Sequence, residues 1–344
     1  MPLTLTVDGD AWRDHLRAVA ETSPGLVPVA KGNGYGFTLG RLARRAQWLG
    51  TDTLAVGTYA ELPEVATRFP GAITVLSPWR PFVPELDPGL RGRVIHTVSR
   101  GEDLPALLER QPGARVVLER MTSMRRHGME PAELWRAADL ARARARFEGV
   151  TLHLPMTGAN LAETRSLMAD VVGAGADTVW ISHLSSAELA RLAGSYADLR
   201  IRPRIGTALW LGARDALRVG ATVEDVHPLR RGQVFGYRGR RALRDGHLVV
   251  AAGGTAHGLG LTAPSGHTAL RTRVSTLAKG GLDAAGLVRS PYLWQGQQLL
   301  FAEPPHMQSS LLLLPRGTRV PQVGDRLDVR VRFTTTTFDE ILID

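Results

Sequence analysis

Val27-Pro28-Val29-Ala30-Lys31-Gly32-Asn33-Gly34-Tyr35-Gly36 runs from an apolar strand into a glycine-rich loop, with a lysine at the junction. The chain carries 42 lysines and arginines, and only Lys31 and Lys279 are lysines. A chain that otherwise uses arginine and keeps a lysine here is expected to use its amine. A guanidinium stays protonated and cannot act as a nucleophile, whereas an amine can lose its proton and form a Schiff base with a carbonyl cofactor. The competing reading is a lysine snorkelling from a strand terminus. The evenly spaced glycines do not fit the G-x-G-x-x-G pattern of a dinucleotide site.

Outward from this run, short apolar stretches alternate with helical patterns. Strands are expected at Leu26–Ala30, Thr53–Val56, Ile73–Leu76, Arg93–Val98, Arg115–Glu119, Val150–Leu154, Thr178–Ser182 and Leu199–Arg204. Leu39, Leu42, Ala43, Ala46 and Leu49 form an apolar stripe at helical spacing, and 160–173 and 131–146 read the same way, the latter opening on Pro131. Eight β–α units predict an α/β fold, a (β/α)8 TIM-type barrel over residues 1–225. From 226 to 344 glycine and proline punctuate β-type runs at 247–252, 271–277, 298–302, 310–314 and 326–333, so a mostly-β C-terminal domain is expected. The threonines of 334–341 suit a strand.

Composition narrows the classes. With 344 residues, 44% hydrophobic and 22% charged, the chain can bury a full core and form about two domains. Zero cysteines exclude disulfides, thiolate catalysis and cysteine-based metal sites, and no metal ligand set is read. The longest leucine run, Leu311–Leu314, is far short of a membrane span, and the first residues lack the pattern of a signal peptide, so a cytoplasmic protein is expected. A formal charge of +9 admits a nucleic-acid partner. Dispersed arginines, densest near 238–244, are better explained by arginine-for-lysine drift.

In a barrel of this kind chemistry sits at the carboxyl ends of the strands. The polar residues there are Lys31, Glu119 with Arg126, His153, Ser182 with His183, and Arg204, followed by Ile205-Gly206-Thr207, whose backbone N–H groups suit an anion. VAKGNGYG resembles V-K-A-N-A-Y-G, the cofactor-lysine motif of the alanine racemase family. LAVGTYAEL, the stretch from Leu118 to Gly128, RIGTALWLG, PPHMQSS and TTTTFDEIL resemble further segments of that family in the same order. The resemblance covers nearly the whole chain. It implies a pyridoxal 5'-phosphate enzyme with an N-terminal barrel and a C-terminal β domain, acting on an amino acid as a homodimer.

Carried over by position, the resemblance makes Lys31 the residue that forms an aldimine with the cofactor and abstracts an α-proton. Tyr35 would hold the phosphate with Ser185 or Ser186 and the Gly206–Thr207 backbone. Arg204 would face the pyridine nitrogen, His153 would stack beside the ring, and Arg126 would approach the phenolate. A cationic Arg204 disfavours protonation of that nitrogen and weakens the electron sink. Glu119 stands where the family often has a carbamylated lysine, and it supplies the same negative charge to Arg126.

The resemblance fails at the second base. The family uses a tyrosine from the β domain of the partner subunit, and Gly254 takes its place in Ala252-Gly253-Gly254-Thr255-Ala256-His257-Gly258. His257 is the candidate replacement, because histidine titrates near neutrality, and Tyr237 is a weaker one. Phe338 replaces a phosphate-binding tyrosine and Gln308 an aspartate. Alanine racemisation is therefore expected to be weak. The first function is an amino-acid racemase or related isomerase. The alternative is a catalytically inactive cofactor- or amino-acid-binding paralogue with a regulatory or cell-wall-assembly role.

Overall fold

Eight short runs rich in Val, Ile and Leu pair as parallel strands in the computed structural model, which describes residues 2–260 and 288–344. Strand β1 (Leu3–Val7) comes first in the chain and belongs elsewhere. The parallel set is β2 (Val27–Pro28), β3 (Thr53–Val56), β4 (Ala72–Val75), β5 (Val94–Val98), β6 (Arg115–Arg120), β7 (Arg146–Leu152), β8 (Thr178–Ser182) and β9 (Arg200–Ile205). Each pairs with its sequence neighbour from β3 to β9, β2 pairs with β9, and Val29 bridges Ala55 beyond the end of β2. The sheet therefore closes into the expected barrel. The strands lie within about two residues of the positions read from the sequence, except that β7 begins at Arg146, four residues before the expected start at Val150.

Side-chain alternation decides what faces the barrel interior. Val27, Val29, Ala55, Ile95, Val117 and Trp180 pack together inside. Val116, Leu118, Val150, Leu152, Val179 and Ile181 point the other way, into a layer shared with Leu104 and Leu107, Leu134 and Ala138, and Met168 and Val171 of three of the helices. Full burial of a Leu or Val contributes about 1.5–3 kcal/mol, so this outer layer supplies much of the unit's stability. The same parity puts Glu119 beside Val117, Ser182 beside Trp180, His153 two residues past Thr151, and Lys31 two past Val29. These four side chains are thus turned toward the barrel axis by their register alone.

The chain divides into two compact units, Arg13–Gly212 and Met1–Trp12 with Ala213–Asp344. The expectation placed the boundary at 225. The difference arises because β1 pairs antiparallel with β10 (Leu217–Leu229) and parallel with the last strand of the chain, so the amino terminus belongs to the β unit. That unit continues with the small hairpin β11 (Val234–Phe235) and β12 (Arg240–Arg241), then β13 (Gly246–Ala252), β14 (Arg289–Trp294), β15 (Gln297–Phe301), β16 (Ser309–Pro315), β17 (Arg326–Val329) and β18 (Glu340–Ile343). Strand β10 pairs with β17 through its first half and, past a bulge at 223–225, with β13 through its second, which curls the sheet onto itself. The expected strand at 271–277 lies outside the described residues, and β14 was not expected. Of the run 334–341 only Glu340 and Ile341 lie in a strand; Thr334 and Thr335 fall in a turn, and the Thr335 and Thr336 N–H groups both donate to the Arg332 carbonyl. Among the described residues no helix is long and apolar enough to cross a membrane.

Candidate functional site

At the carboxyl end of β2 the chain leaves the barrel through Ala30, whose N–H donates to Ala55 O at 2.8 Å. Lys31 follows, exposed to solvent at the mouth. Glu61 holds the loop after it, with Oε1 accepting from Gly32 N–H at 2.7 Å and Oε2 from Gly57 N–H at 2.6 Å. Partial burial and the positive charges of Arg126 and Arg204 hold the Lys31 amine below the ordinary lysine value, against the opposing pull of Glu61. The lysine is therefore the easier one to deprotonate, as a nucleophilic amine requires.

Tyr35 sits buried in the left-handed region at φ 54°. Its hydroxyl hydrogen-bonds the Thr207 side chain, and burial above all pushes its phenol up to about 12. The hydroxyl lies over Gly206, where a Cβ would stand 2.2 Å from Tyr35 Oη. A glycine is thus required at 206 for the phenol to reach that end of β9.

Arg204 is buried in the interior and donates from Nη2 to Leu152 O at 3.2 Å. Burial lowers it to about 10, with Glu119 opposing and Arg126 adding to the fall, so it remains a cation at neutral pH. Arg204 Nε and Glu119 Oε2 are both buried without a hydrogen-bond partner. His153 lies next to them in charge terms. Burial, then Arg204, Arg126, His183 and Lys31, depress it to about 3. Its ring is therefore neutral. Ser182 Oγ accepts from Leu154 N–H and faces His153 Nδ1 at 3.0 Å, which suits a hydroxyl donating to Nδ1 and leaves the proton on Nε2. Thr122 Oγ also donates to the His153 carbonyl at 2.7 Å, and His183 meets the ring edge-on at 5.7 Å.

Arg126 is exposed on the loop after β6. That loop folds back on its own strand, with Met129 N–H donating to Glu119 O and Met121 N–H to Met129 O. Its charge is felt by Lys31, Glu119, His153 and Arg204, which places all five groups in one electrostatic cluster. Glu119 is 4% exposed, and burial raises its carboxyl above the ordinary range despite Arg204, Arg126 and Arg80. A raised folded value means that the native state favours the protonated acid. The contribution is complete below the ordinary carboxylate value and is lost as pH rises through the folded one. Glu119→Gln should therefore gain stability relative to wild type as pH rises, measured by thermal melting of the cofactor-free proteins. Parallel melting curves across pH would mean that Glu119 ionises as freely as in the unfolded chain.

Ser185 and Ser186 are exposed beyond β8 at the start of a helix, Ser186–Ser195. Ser185 is committed to that helix: its hydroxyl donates to Glu188 Oε2 at 2.7 Å and accepts from Glu188 N–H at 3.3 Å. This capping box sets a carboxylate beside Ser185, which opposes an anion there. Ser186 has no such neighbour among the hydrogen bonds of the helix start.

In the β unit, His257 is 6% exposed, and both ring nitrogens are engaged. Nδ1 accepts from Gly254 N–H at 3.2 Å and Nε2 donates to Asp339 Oδ1 at 3.0 Å. Burial acts to raise Asp339, but the Leu3 N–H and His257 outweigh it and hold the carboxyl low. His257 thus ties the 254–257 turn to the last strand. Gly254 itself has no room for a side chain, since a Cβ would stand 2.0 Å from His306 O and 2.7 Å from Met307 O. Phe338 packs beside Phe333, ring centroids 6.0 Å apart, and Gln308 gives its carbonyl to Gly253 N–H.

Glu61, and the bond between Ser182 and His153, are not read from the sequence. Glu61 was readable as the acid of Thr58-Tyr59-Ala60-Glu61, a helix-start pattern. Ser182 was noted as polar, but its hold on His153 depends on the parity of two adjacent strands.

Residues 7–214 match the family model described as alanine racemase, N-terminal domain. No curated protein matches the chain. Solved structures share the fold at low identity. The alanine racemase of Bartonella henselae, with covalently bound pyridoxal phosphate, is 16% identical, has a TM-score of 0.70, and pairs 96% of this chain with 91% of its own. The enzyme of the D-cycloserine producer Streptomyces lavendulae is 18% identical with a TM-score of 0.70, over 100% of this chain and 97% of that one. The biosynthetic alanine racemase of Pseudomonas aeruginosa is 20% identical with a TM-score of 0.68, over 96% and 91%.

Proposed function

The chain belongs to the alanine racemase family, and from that premise we propose that it is a pyridoxal-phosphate-dependent enzyme that moves a proton at the α-carbon of an amino acid. The observation that carries this is Lys31, a lysine of lowered basicity at the mouth of a parallel barrel, among Arg126, Arg204 and a neutral His153.

The residues fit the cofactor. Arg204 Nε is buried without a hydrogen-bond partner, and the Tyr35 hydroxyl, lodged over a bare glycine beside Thr207, has only that side chain as its partner among the described residues. Lys31 would hold the aldehyde end. Tyr35, Thr207 and Ser186 would hold the phosphate, with Ser185 left to its helix cap. Arg204 would lie against the pyridine nitrogen and keep it unprotonated, because a buried cation disfavours a second positive charge. Neutral His153 adds no charge beside the ring. Arg126 would face the phenolate oxygen. When bound, pyridoxal phosphate supplies the electron sink that makes an α-proton removable. Lys31 then holds or delivers that proton on its face of the substrate.

The reading includes a homodimer in which the β unit of one copy closes the site of the other. The test is one sample taken through absorbance, borohydride reduction and sedimentation. A yellow dimer that yields a reduced adduct on Lys31 is expected. A colourless protein that ignores added pyridoxal phosphate would refute the cofactor, and a cofactor-loaded monomer would refute the dimer. The closed space at Gly254 favours a second reading, a cofactor-binding protein without turnover, for which α-deuterium exchange would be absent while the adduct forms.

A further inference from the structure

Racemisation needs an acid–base group on each face of the α-carbon. Lys31 serves one face, Gly254 carries no side chain, and His257 has both ring nitrogens occupied. We propose that His306, oriented by Glu303, is the acid–base group for the opposite face. The proposal rests on the reading above and names its second catalytic residue.

The geometry is that of an oriented histidine. His306 Nε2 lies 2.7 Å from Glu303 Oε1, and Glu303 is 3% exposed. The same oxygen accepts from Tyr237 N–H at 3.3 Å, so the carboxylate is fixed from two sides. A buried carboxylate accepts a hydrogen bond from the ring N–H that faces it and so sets the tautomer. Nε2 therefore carries the hydrogen, and the Nδ1 lone pair is left without a hydrogen bond. Of the two histidines beside Gly254, His306 alone keeps an open nitrogen.

Its place is fixed by backbone pairing. Gly253 N–H donates to Gln308 O at 2.9 Å, Thr255 N–H to His306 O at 2.8 Å and Ala256 N–H to Met307 O at 3.0 Å. The 306–308 segment thus lies directly across from Gly254. Two large side chains are exposed here: Tyr237, 87% exposed with its ring centroid 4.6 Å from that of His306, and Met307, the next residue in the chain, 68% exposed. Large exposed apolar side chains grouped around a half-buried acid–base pair suit a face that another surface covers. In the reading above that surface belongs to a second copy of this chain.

The step balances without a further reagent. For one enantiomer the free Lys31 amine would take the α-proton, and His306, starting as the imidazolium with Nδ1 protonated, would give that proton to the opposite face; the cofactor, when bound, would supply the sink for the electron pair. For the other enantiomer neutral His306 would take the proton on Nδ1, and Lys31, starting as the ammonium, would give one to the opposite face.

The test uses holoenzyme in heavy water with L- and D-alanine as probes. Wild type should exchange the α-proton of both. His306→Gln, whose amide can still donate to Glu303, should keep exchange from one enantiomer and lose about 10²–10⁴-fold from the other. Equal effects on both enantiomers, no effect, or a wild type that exchanges one or neither would overturn the proposal. The Lys31 adduct judges the cofactor reading separately: its presence with symmetric exchange in His306→Gln sinks only the dyad, and its absence sinks the reading itself. Nitrogen NMR of the cofactor-free protein gives a readout apart from activity. Neutral His306 should carry its proton on Nε2, and an Nδ1–H tautomer would overturn the assignment. Glu303→Gln should disturb that tautomer and slow the same enantiomer, which identifies Glu303 as a positioning residue.

Discussion

Lys31→Arg should give a colourless protein with no borohydride adduct, and α-deuterium exchange should fall by about 10²–10⁴-fold or more. The substitution keeps a positive charge and a long side chain at the junction, so the loop tied by Glu61 through Gly32 and Gly57 has no reason to unfold. What is lost is an amine that can deprotonate. Partial burial, and then Arg126 and Arg204, already lower the basicity of the lysine, and the same environment cannot bring a guanidinium within range of neutral pH. Lys279→Arg, which removes the chain's other lysine, is the control and should keep the colour. Retained colour in Lys31→Arg with an adduct on another residue would mean that the barrel mouth is not where the cofactor attaches. Because the Lys31 value is lowered, exchange should also rise with pH earlier than an ordinary lysine would allow.

The barrel was legible because its information is local. Apolar runs of four to six residues, most of them followed by a helix, name a strand wherever they stand, and the parity of Val27, Val29 and Lys31 or Val117 and Glu119 points the polar ends inward. The β unit was less legible. Leu3-Thr4-Leu5-Thr6-Val7 alternates like any half-buried strand, and nothing in those five residues says that its partners are β10 and β18 near the other end of the chain. Side-chain commitments were the hardest to foresee. Ser185 reads as a phosphate ligand until Glu188 claims its hydroxyl, and His257 reads as a base until Asp339 and Gly254 take both nitrogens. Conversely His306 drew no notice, since its partner Glu303 lies on a loop where spacing carries no geometric meaning. Charge also misleads in sequence. Glu119 looks like a simple counterion for Arg126, and only its burial shows that its ionisation is itself disfavoured.

Gly254→Tyr should not restore fast alanine racemisation, and it should destabilise the β unit. The tyrosine would be placed where the family resemblance assigns the second base, so a missing phenol alone would predict a gain. The obstacle is the Cβ, which would stand 2.0 Å from His306 O and 2.7 Å from Met307 O. Both carbonyls are already held by the Thr255 and Ala256 N–H groups at 2.8 and 3.0 Å. Relieving the clash must move backbone and break at least one of these bonds, at about 1 kcal/mol each beyond an overpacking cost of about 1–3 kcal/mol. The displaced segment carries His306, so the proposed replacement base moves as well. Gly254→Ala separates the two causes, because it shares the Cβ and lacks the phenol: both variants should melt earlier by similar amounts and exchange the α-proton more slowly. His257→Ala should also melt earlier, through loss of its bonds to Gly254 and Asp339, yet keep exchange from both enantiomers. A Gly254→Tyr protein that melts with wild type and racemises alanine faster would show that the segment yields easily and that the glycine marks only a lost base. Unchanged melting in Gly254→Ala would show the same for the Cβ. The expected pattern instead makes Gly254 part of how the turn is packed, with a side chain at 254 excluded by the carbonyls of the facing segment.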